Sequence, residues 1–256
     1  MFIKNMSTKE DRNLQKEQLE NQGKENSEFL LEVKNLKKVY GKGSLAFRAL
    51  DEINLSISRG DFIVVMGHSG SGKTTLLNML GALDRPTLGE IIIDGIEVLK
   101  VKESKLYEIR REKIGFIFQN YFLIPTLTAL QNVLIPVMPI SEKKQDYILR
   151  AKELLCKMGL KGKEMRRPSH LSGGEQQRVA IARSLILDPA LILADEPTGN
   201  LDTKTGMGIV ELMKKLNEEE GKTFLVVTHD HRITKFCDRV IKLTDGKIDG
   251  EETREV

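Results

Sequence analysis

The chain is short of cysteine and of net charge. Its 256 residues include only Cys156 and Cys237, far apart and in no CxxC or metal spacing. That excludes a disulfide framework and a thiolate metal site, and fits two reduced structural thiols in a cytosolic protein. Forty basic against 37 acidic residues leave a formal charge of +3. So small an imbalance advertises neither DNA nor an acidic membrane, and no nucleic-acid partner is expected. No apolar segment opens the chain, so no secretory leader is expected. The longest charge-free run, Ile114 to Ile140, has the length of a membrane span. It carries Gln119, Asn120, Gln131 and Asn132 as well as Pro125, Pro136 and Pro139. Amides are costly in lipid and prolines break a single helix, so a protein soluble by itself is expected.

With 40% hydrophobic and 30% charged residues, the length suits one large α/β domain whose core needs no staples. Residues 1–28 are charged and polar and read as a disordered or weakly ordered tail. The folded domain is expected over 29–250, with 251–256 as a frayed end. Leu31, Val33 and Leu36 begin a strand pattern, and Leu50, Ile53, Leu55 and Ile57 alternate as a half-buried strand does. Both suit an antiparallel layer ahead of the main sheet. Phe62–Met66, Ile114–Phe118, Leu191–Ala194 and Phe224–Thr228 are continuous apolar runs, expected of strands buried on both faces. Helical stripes run through Glu142–Met158, which Gly159 is placed to end, and through Thr205–Glu219. Alternating strands and helices predict a parallel sheet. The stretch from about 125 to 170 offers helices without a buried strand, so a helical subdomain inserted into the α/β core is expected.

Gly67-His68-Ser69-Gly70-Ser71-Gly72-Lys73-Thr74 follows one such strand and precedes the apolar helix beginning at Thr75. This strand–loop–helix is a phosphate-binding P-loop. Its glycines let backbone N–H groups curl around phosphate oxygens while the helix N-terminus adds its positive end. Lys73 reaches the β- and γ-phosphates as a point charge, and the Thr74 hydroxyl is a ligand for Mg²⁺. Asp195 and Glu196 end the run Leu191–Ala194, at the carboxyl edge of a buried strand where ligands of parallel sheets gather. Asp195 suits a Mg²⁺ held through water, and Glu196 suits orientation of an attacking water. His229 closes Phe224–Thr228 at the same edge, suited to a γ-phosphate contact or to an ordinary loop role. Gln119 closes Ile114–Phe118, within reach of metal or lytic water, or simply a capping amide. A second serine–glycine pair, Leu171-Ser172-Gly173-Gly174-Glu175, opens its own helix and offers a second anion site. One chain cannot easily fold both sites onto one phosphate; two copies facing head to tail can.

Tyr40, the P-loop, Gln119, Leu171–Glu175, the strand end at Asp195-Glu196, Leu201-Asp202 and His229, in this order, resemble an ABC-type ATP-binding subunit from about Phe29 to Gly246. The resemblance implies the ABC ATPase fold: a P-loop NTPase parallel-sheet core, an N-terminal antiparallel β layer and an inserted helical subdomain. It implies a homodimer sandwiching two ATP molecules with Mg²⁺. Each ATP would lie on one P-loop and under Ser172, Gly173 and Gly174 of the other copy, beside Glu175. Tyr40 would stack on adenine, though it also suits packing in the β layer, and Asp202 would couple the two sites. Gly81–Thr87, Arg110-Arg111, Ile114–Gln119 and Leu123–Val133 resemble the branch with lipoprotein-releasing, macrolide-export and antimicrobial-peptide-responsive transporters and a cell-division ATPase. That branch implies a permease partner and a place on the cytoplasmic face of the membrane. His68 stands where relatives have proline, at a variable loop position, so nucleotide binding is expected to survive. Relatives that clamp DNA carry a long coiled coil between P-loop and signature. Here Lys73 and Ser172 are 99 positions apart without heptads. Tyr121–Thr126 is read as an apolar patch for a permease segment, and Leu127–Val137 as core.

Overall fold

The computed structural model describes residues 28–140 and 144–254. The strands β1 (Leu31–Tyr40) and β2 (Phe47–Ile57) form a hairpin, followed by β3 (Phe62–Met66) and helix α1 (Lys73–Leu80). Next come β4 (Leu88–Ile93), β5 (Ile96–Glu97), α2 (Glu103–Lys113) and β6 (Ile114–Phe118). Three helices follow, α3 (Ala129–Leu134), α4 (Lys144–Lys157) and α5 (Gly173–Leu185), before β7 (Leu191–Asp195) and α6 (Thr203–Glu220). The chain closes with β8 (Thr223–Thr228), β9 (Arg239–Thr244) and β10 (Lys247–Thr253).

The strands make two sheets, ordered β2-β1-β4-β5 and β10-β9-β3-β8-β7-β6. The first is antiparallel throughout, and its β4 and β5, which the sequence pattern does not announce, come from beyond the P-loop. In the second, β9, β3, β8, β7 and β6 are parallel and β10 is an antiparallel edge. Alternate residues of each central strand enter different cores, as the two-residue period requires. Phe62, Val64, Phe224, Val226, Ile192 and Ala194 face the helices α3 to α6, with Phe62 and Phe224 stacked at 5.3 Å. Ile63, Val65, Leu225, Val227, Leu191 and Leu193 face α1, α2 and the antiparallel sheet. With both faces covered, continuous apolar runs are the only sequences that suit these strands.

The charge-free stretch is divided among β6, α3 and a 3-10 turn, and no helix of the described residues is long and apolar enough to cross a membrane. Asn132 is fully buried within it. Its amide accepts from Ile124 N and donates to the carbonyls of Ile124, Leu127 and Thr128, which ties the loop after β6 onto α3. The expected tail lies outside the described residues except for Glu28. At the other end the frayed segment needs correction: Glu251, Glu252 and Thr253 pair with Ile241, Val240 and Arg239. The pairing is reinforced by ion pairs of Glu251 with Arg239 and Glu252 with Lys242. Charged side chains on such an edge also discourage pairing with another chain.

Candidate active site

Register brings the chemistry to one edge. Phe118 lies beside Asp195, Asp195 beside Val227, and Met66 beside Thr228. Gln119, Glu196, His229 and the loop from Gly67 therefore leave neighbouring strands side by side. They surround a cleft of about 710 Å³ lined by Ser69, Gly70, Gly72, Lys73, Thr74, Thr75, Gln119, Asp195, Glu196 and His229, with Phe47 and Ala49 from β2.

The P-loop curls because Gly72 takes φ 102° and a β-carbon there would meet the Ala49 carbonyl at 2.7 Å. Lys73 is buried and donates to the carbonyls of Gly67 (2.7 Å) and His68 (2.9 Å). Two of its three ammonium donors are thus used, leaving one for a phosphate. The Ser71 hydroxyl is buried and has no hydrogen-bond partner among the described residues. His68 turns its ring out of the cleft, with Nδ1 2.8 Å from Ser69 O and Nε2 3.5 Å from the Asp245 carboxylate.

The two acids differ. Thr74 Oγ1 donates to Asp195 Oδ1 across 3.5 Å. Burial, with Glu196 adding to it, pushes the Asp195 carboxyl above its ordinary range, while Thr74 and Lys73 oppose the shift. Such a group calls for a cation. A hydroxyl beside one carboxylate, with room for water and phosphate oxygens, is the donor set Mg²⁺ takes, so the residues fit the metal. Glu196 stands in left-handed backbone at φ 43°. Its carboxylate accepts from Thr228 Oγ1 (2.9 Å) and His229 N (3.1 Å), and lies 2.8 Å from His229 Nδ1. That last contact is a hydrogen bond when Nδ1 carries the proton.

Gln119 stands at the cleft wall, its amide donating weakly to Asn200 Oδ1 (3.4 Å). Asn200 in turn donates to Gln119 O and Asn120 Oδ1, both at 2.9 Å, a link across 80 positions that no local pattern reveals. Tyr40 ends β1 beside the cleft, its hydroxyl donating to Asp84 (3.0 Å) and its ring 4.8 Å from the Lys38 ammonium. Phe47, directly opposite Tyr40 and 62% exposed, is the aromatic that lines the cleft. Sequence reasoning missed it; the signal was its cross-strand register.

The second glycine pair does not line this cleft. Ser172 caps α5 in a reciprocal box: its hydroxyl accepts from Glu175 N, and Glu175 Oε2 accepts from Ser172 N at 2.8 Å. Glu175 also pairs with Lys163, which holds its carboxyl below the usual range. Its side chain is thus engaged within its own chain, and the nucleotide contact expected of Glu175 belongs to a sandwich with a second copy. Gly173 and Gly174 stay bare at the helix start, where a β-carbon on Gly174 would meet Thr205 at 2.3 Å. Asp202 caps α6 by accepting from Thr205 N at 3.0 Å.

The model of the family described as ABC transporter matches residues 50–199. An uncharacterized ABC transporter ATP-binding protein of Methanocaldococcus jannaschii is 48% identical over 87% of this chain and 97% of its own. Its cassette, solved as a dimer in a post-hydrolysis state bound to ADP and Pi, superposes with a TM-score of 0.80 over 88% of this chain and 100% of that one, at 47% identity. A lipoprotein-releasing system ATP-binding protein of Rhodopseudomonas palustris is 45% identical over 86% of this chain and 99% of its own. A macrolide export ATP-binding/permease protein of Mannheimia succiniciproducens is 44% identical over 86% of this chain, which spans 34% of that longer protein. The chain thus belongs to the ABC transporter family, as an ATP-binding and ATP-hydrolysing subunit of the branch shared with lipoprotein-releasing and macrolide-export systems.

Proposed function

We propose that two copies of this chain close head to tail over two ATP molecules and power a membrane permease from the cytoplasmic face. The work done is lipoprotein, peptide or drug export, or mechanical coupling across the membrane. The observation that carries this reading is the division of the site. P-loop, Asp195, Glu196, Gln119 and His229 share one cleft, while the bare N-terminus of α5 at Ser172, Gly173 and Gly174 stands outside it. A helix N-terminus suits the γ-phosphate of an ATP held by the other copy. Tyr40 and Phe47 give the base an aromatic wall, and the cradle 67–75 takes the phosphates. Glu196 orients or deprotonates the attacking water, held in place by His229 and Thr228. Lys73 and His229 steady the transferring phosphoryl group, and Asp202 couples the two sites. Mg²⁺, held by Thr74, Asp195 and Gln119, supplies charge neutralisation at that group when bound. Closure is favoured by γ-phosphate contacts from both copies, and their loss on hydrolysis reopens the pair.

The permease docks on the helical subdomain, read as about 125–170, and the loop leading into it. Phe122 and Ile124 are exposed beside a groove of about 360 Å³ lined also by Phe116, Phe118, Arg111 and Arg183. The test is recovery of tagged Glu196→Gln protein with ATP from gently solubilised native membranes. A permease with a large extracytoplasmic domain is the expected companion, lost when Ile124 is changed to Asp. Recovery of soluble or nucleic-acid-bound partners alone overturns the reading.

A further inference from the structure

Two consecutive residues after Gln119 and Asn120, Tyr121 (φ 57°) and Phe122 (φ 45°), hold left-handed backbone without being glycine. A single such residue is uncommon, and an aromatic pair persists only where the surroundings over-determine it. What over-determines this one is the Arg183 guanidinium, from the last turn of α5. Its NH2 donates to Tyr121 O at 2.6 Å and its NH1 to Phe122 O. Burial holds the Arg183 pKa below its ordinary value, and among the described residues no carboxylate forms an ion pair with it. A half-buried cation that, among the described residues, grips two carbonyls rather than an acid is spent on the backbone. The other end of α5 meets the same turn: the Tyr121 hydroxyl lies 3.0 Å from where a β-carbon of Gly173 would stand. The signature helix therefore holds the Gln119 loop at both ends.

We infer that Arg183 is a positioning residue for hydrolysis, locking the Tyr121–Phe122 turn onto α5 so that Gln119 and the Ser172–Gly174 terminus move as one body. The inference rests on the assignment of Gln119 to the reacting centre. Arg183 and Phe122 also line the groove beside the loop, so force applied there reaches both halves of the site through a fork of two hydrogen bonds. Lysine keeps the charge but cannot reproduce the fork.

The experiment is basal ATP turnover of the full chain in a four-way cycle of Arg183→Lys and Gln119→Ala. Arg183→Lys is expected to lower kcat about tenfold, with KM for ATP within about twofold, because a misplaced positioning group costs the chemical step. In the Gln119→Ala background the same change should cost less than about twofold, since both act on one group. Equal losses in both backgrounds, or an unchanged kcat in Arg183→Lys, overturn the inference. An inert Gln119→Ala would instead remove the assignment beneath it. Should Arg183→Lys not fold, Phe122→Asn is added, because asparagine tolerates left-handed backbone. Recovered folding and turnover support the lock, and a double variant that stays unfolded overturns it.

Discussion

Glu196 occupies a backbone conformation that costs a non-glycine residue about 1–2 kcal/mol, and three contacts to Thr228 and His229 hold it there. Strain kept at this position is consistent with a carboxylate whose aim matters more than its ease. Glu196→Gln, which preserves shape and most of the hydrogen bonding, should bind ATP within a few-fold of the parent. Its turnover should fall by roughly 10²–10⁴, the usual worth of a general base, read in a single-turnover assay. Near-normal turnover would remove that role. Asp195 carries a different signature. Its carboxyl titrates above 3.8 in the fold, so the native state binds more protons than the unfolded chain there. Stability is therefore lost as pH rises from about 4 through the folded value, and the cost is complete at neutral pH. Without nucleotide or metal, Asp195→Asn should melt above the parent at pH 7, with the gap closing towards pH 4. Mg²⁺ and ATP should raise the parent's melting temperature more than the variant's. A parent as stable as the variant at pH 7 would show the burial cost to be offset already.

Among the elements, α5 shows how packing and chemistry select the same residues. Gly174 reads from sequence as bare backbone for an anion, yet the space for its β-carbon is taken by the Thr205 methyl from α6. Gly174→Ala should cost about 1–3 kcal/mol in denaturant unfolding, as overpacking does. Gly174→Ala with Thr205→Ser should recover most of it, whereas persistence of the loss would place the clash in backbone instead. The P-loop, the strand-end acids and the helix start at Ser172 were legible because each is written within eight consecutive residues and each uses a local rule. Asn200, Phe47, Arg183 and Asn132 were not. They act through partners a strand, a helix or a hairpin away, as Arg183 does on Tyr121 and Phe122 some sixty positions earlier. The buried strands were visible as apolar runs. Their order was not, because nothing in Phe62–Met66 names Thr223–Thr228 and Arg239–Thr244 as its neighbours.

At the scale of the molecule the divided site makes a prediction that no single chain can satisfy. Lys73→Ala and Ser172→Arg chains should each be inactive alone. Mixed, they should regain up to about a quarter of parental turnover, because half the dimers are mixed and each mixed dimer has one intact site. Absence of complementation, with both proteins folded and binding each other, would place the whole site within one chain. The same connectivity governs how the protein comes into being. The strand that carries the P-loop, β3, is flanked in the sheet by β8 and β9, both made more than 150 residues later. The turn after β9 is also what closes on the loop, since Gly246 N donates to Ser71 O and Gly246 O accepts from Asp51 N. During synthesis the nucleotide cradle therefore waits, both its edges open, until nearly the whole chain has left the ribosome. A message cut short before residue 223 would leave not a weaker ATPase but an unpaired apolar strand, material for aggregation and for the quality-control proteases.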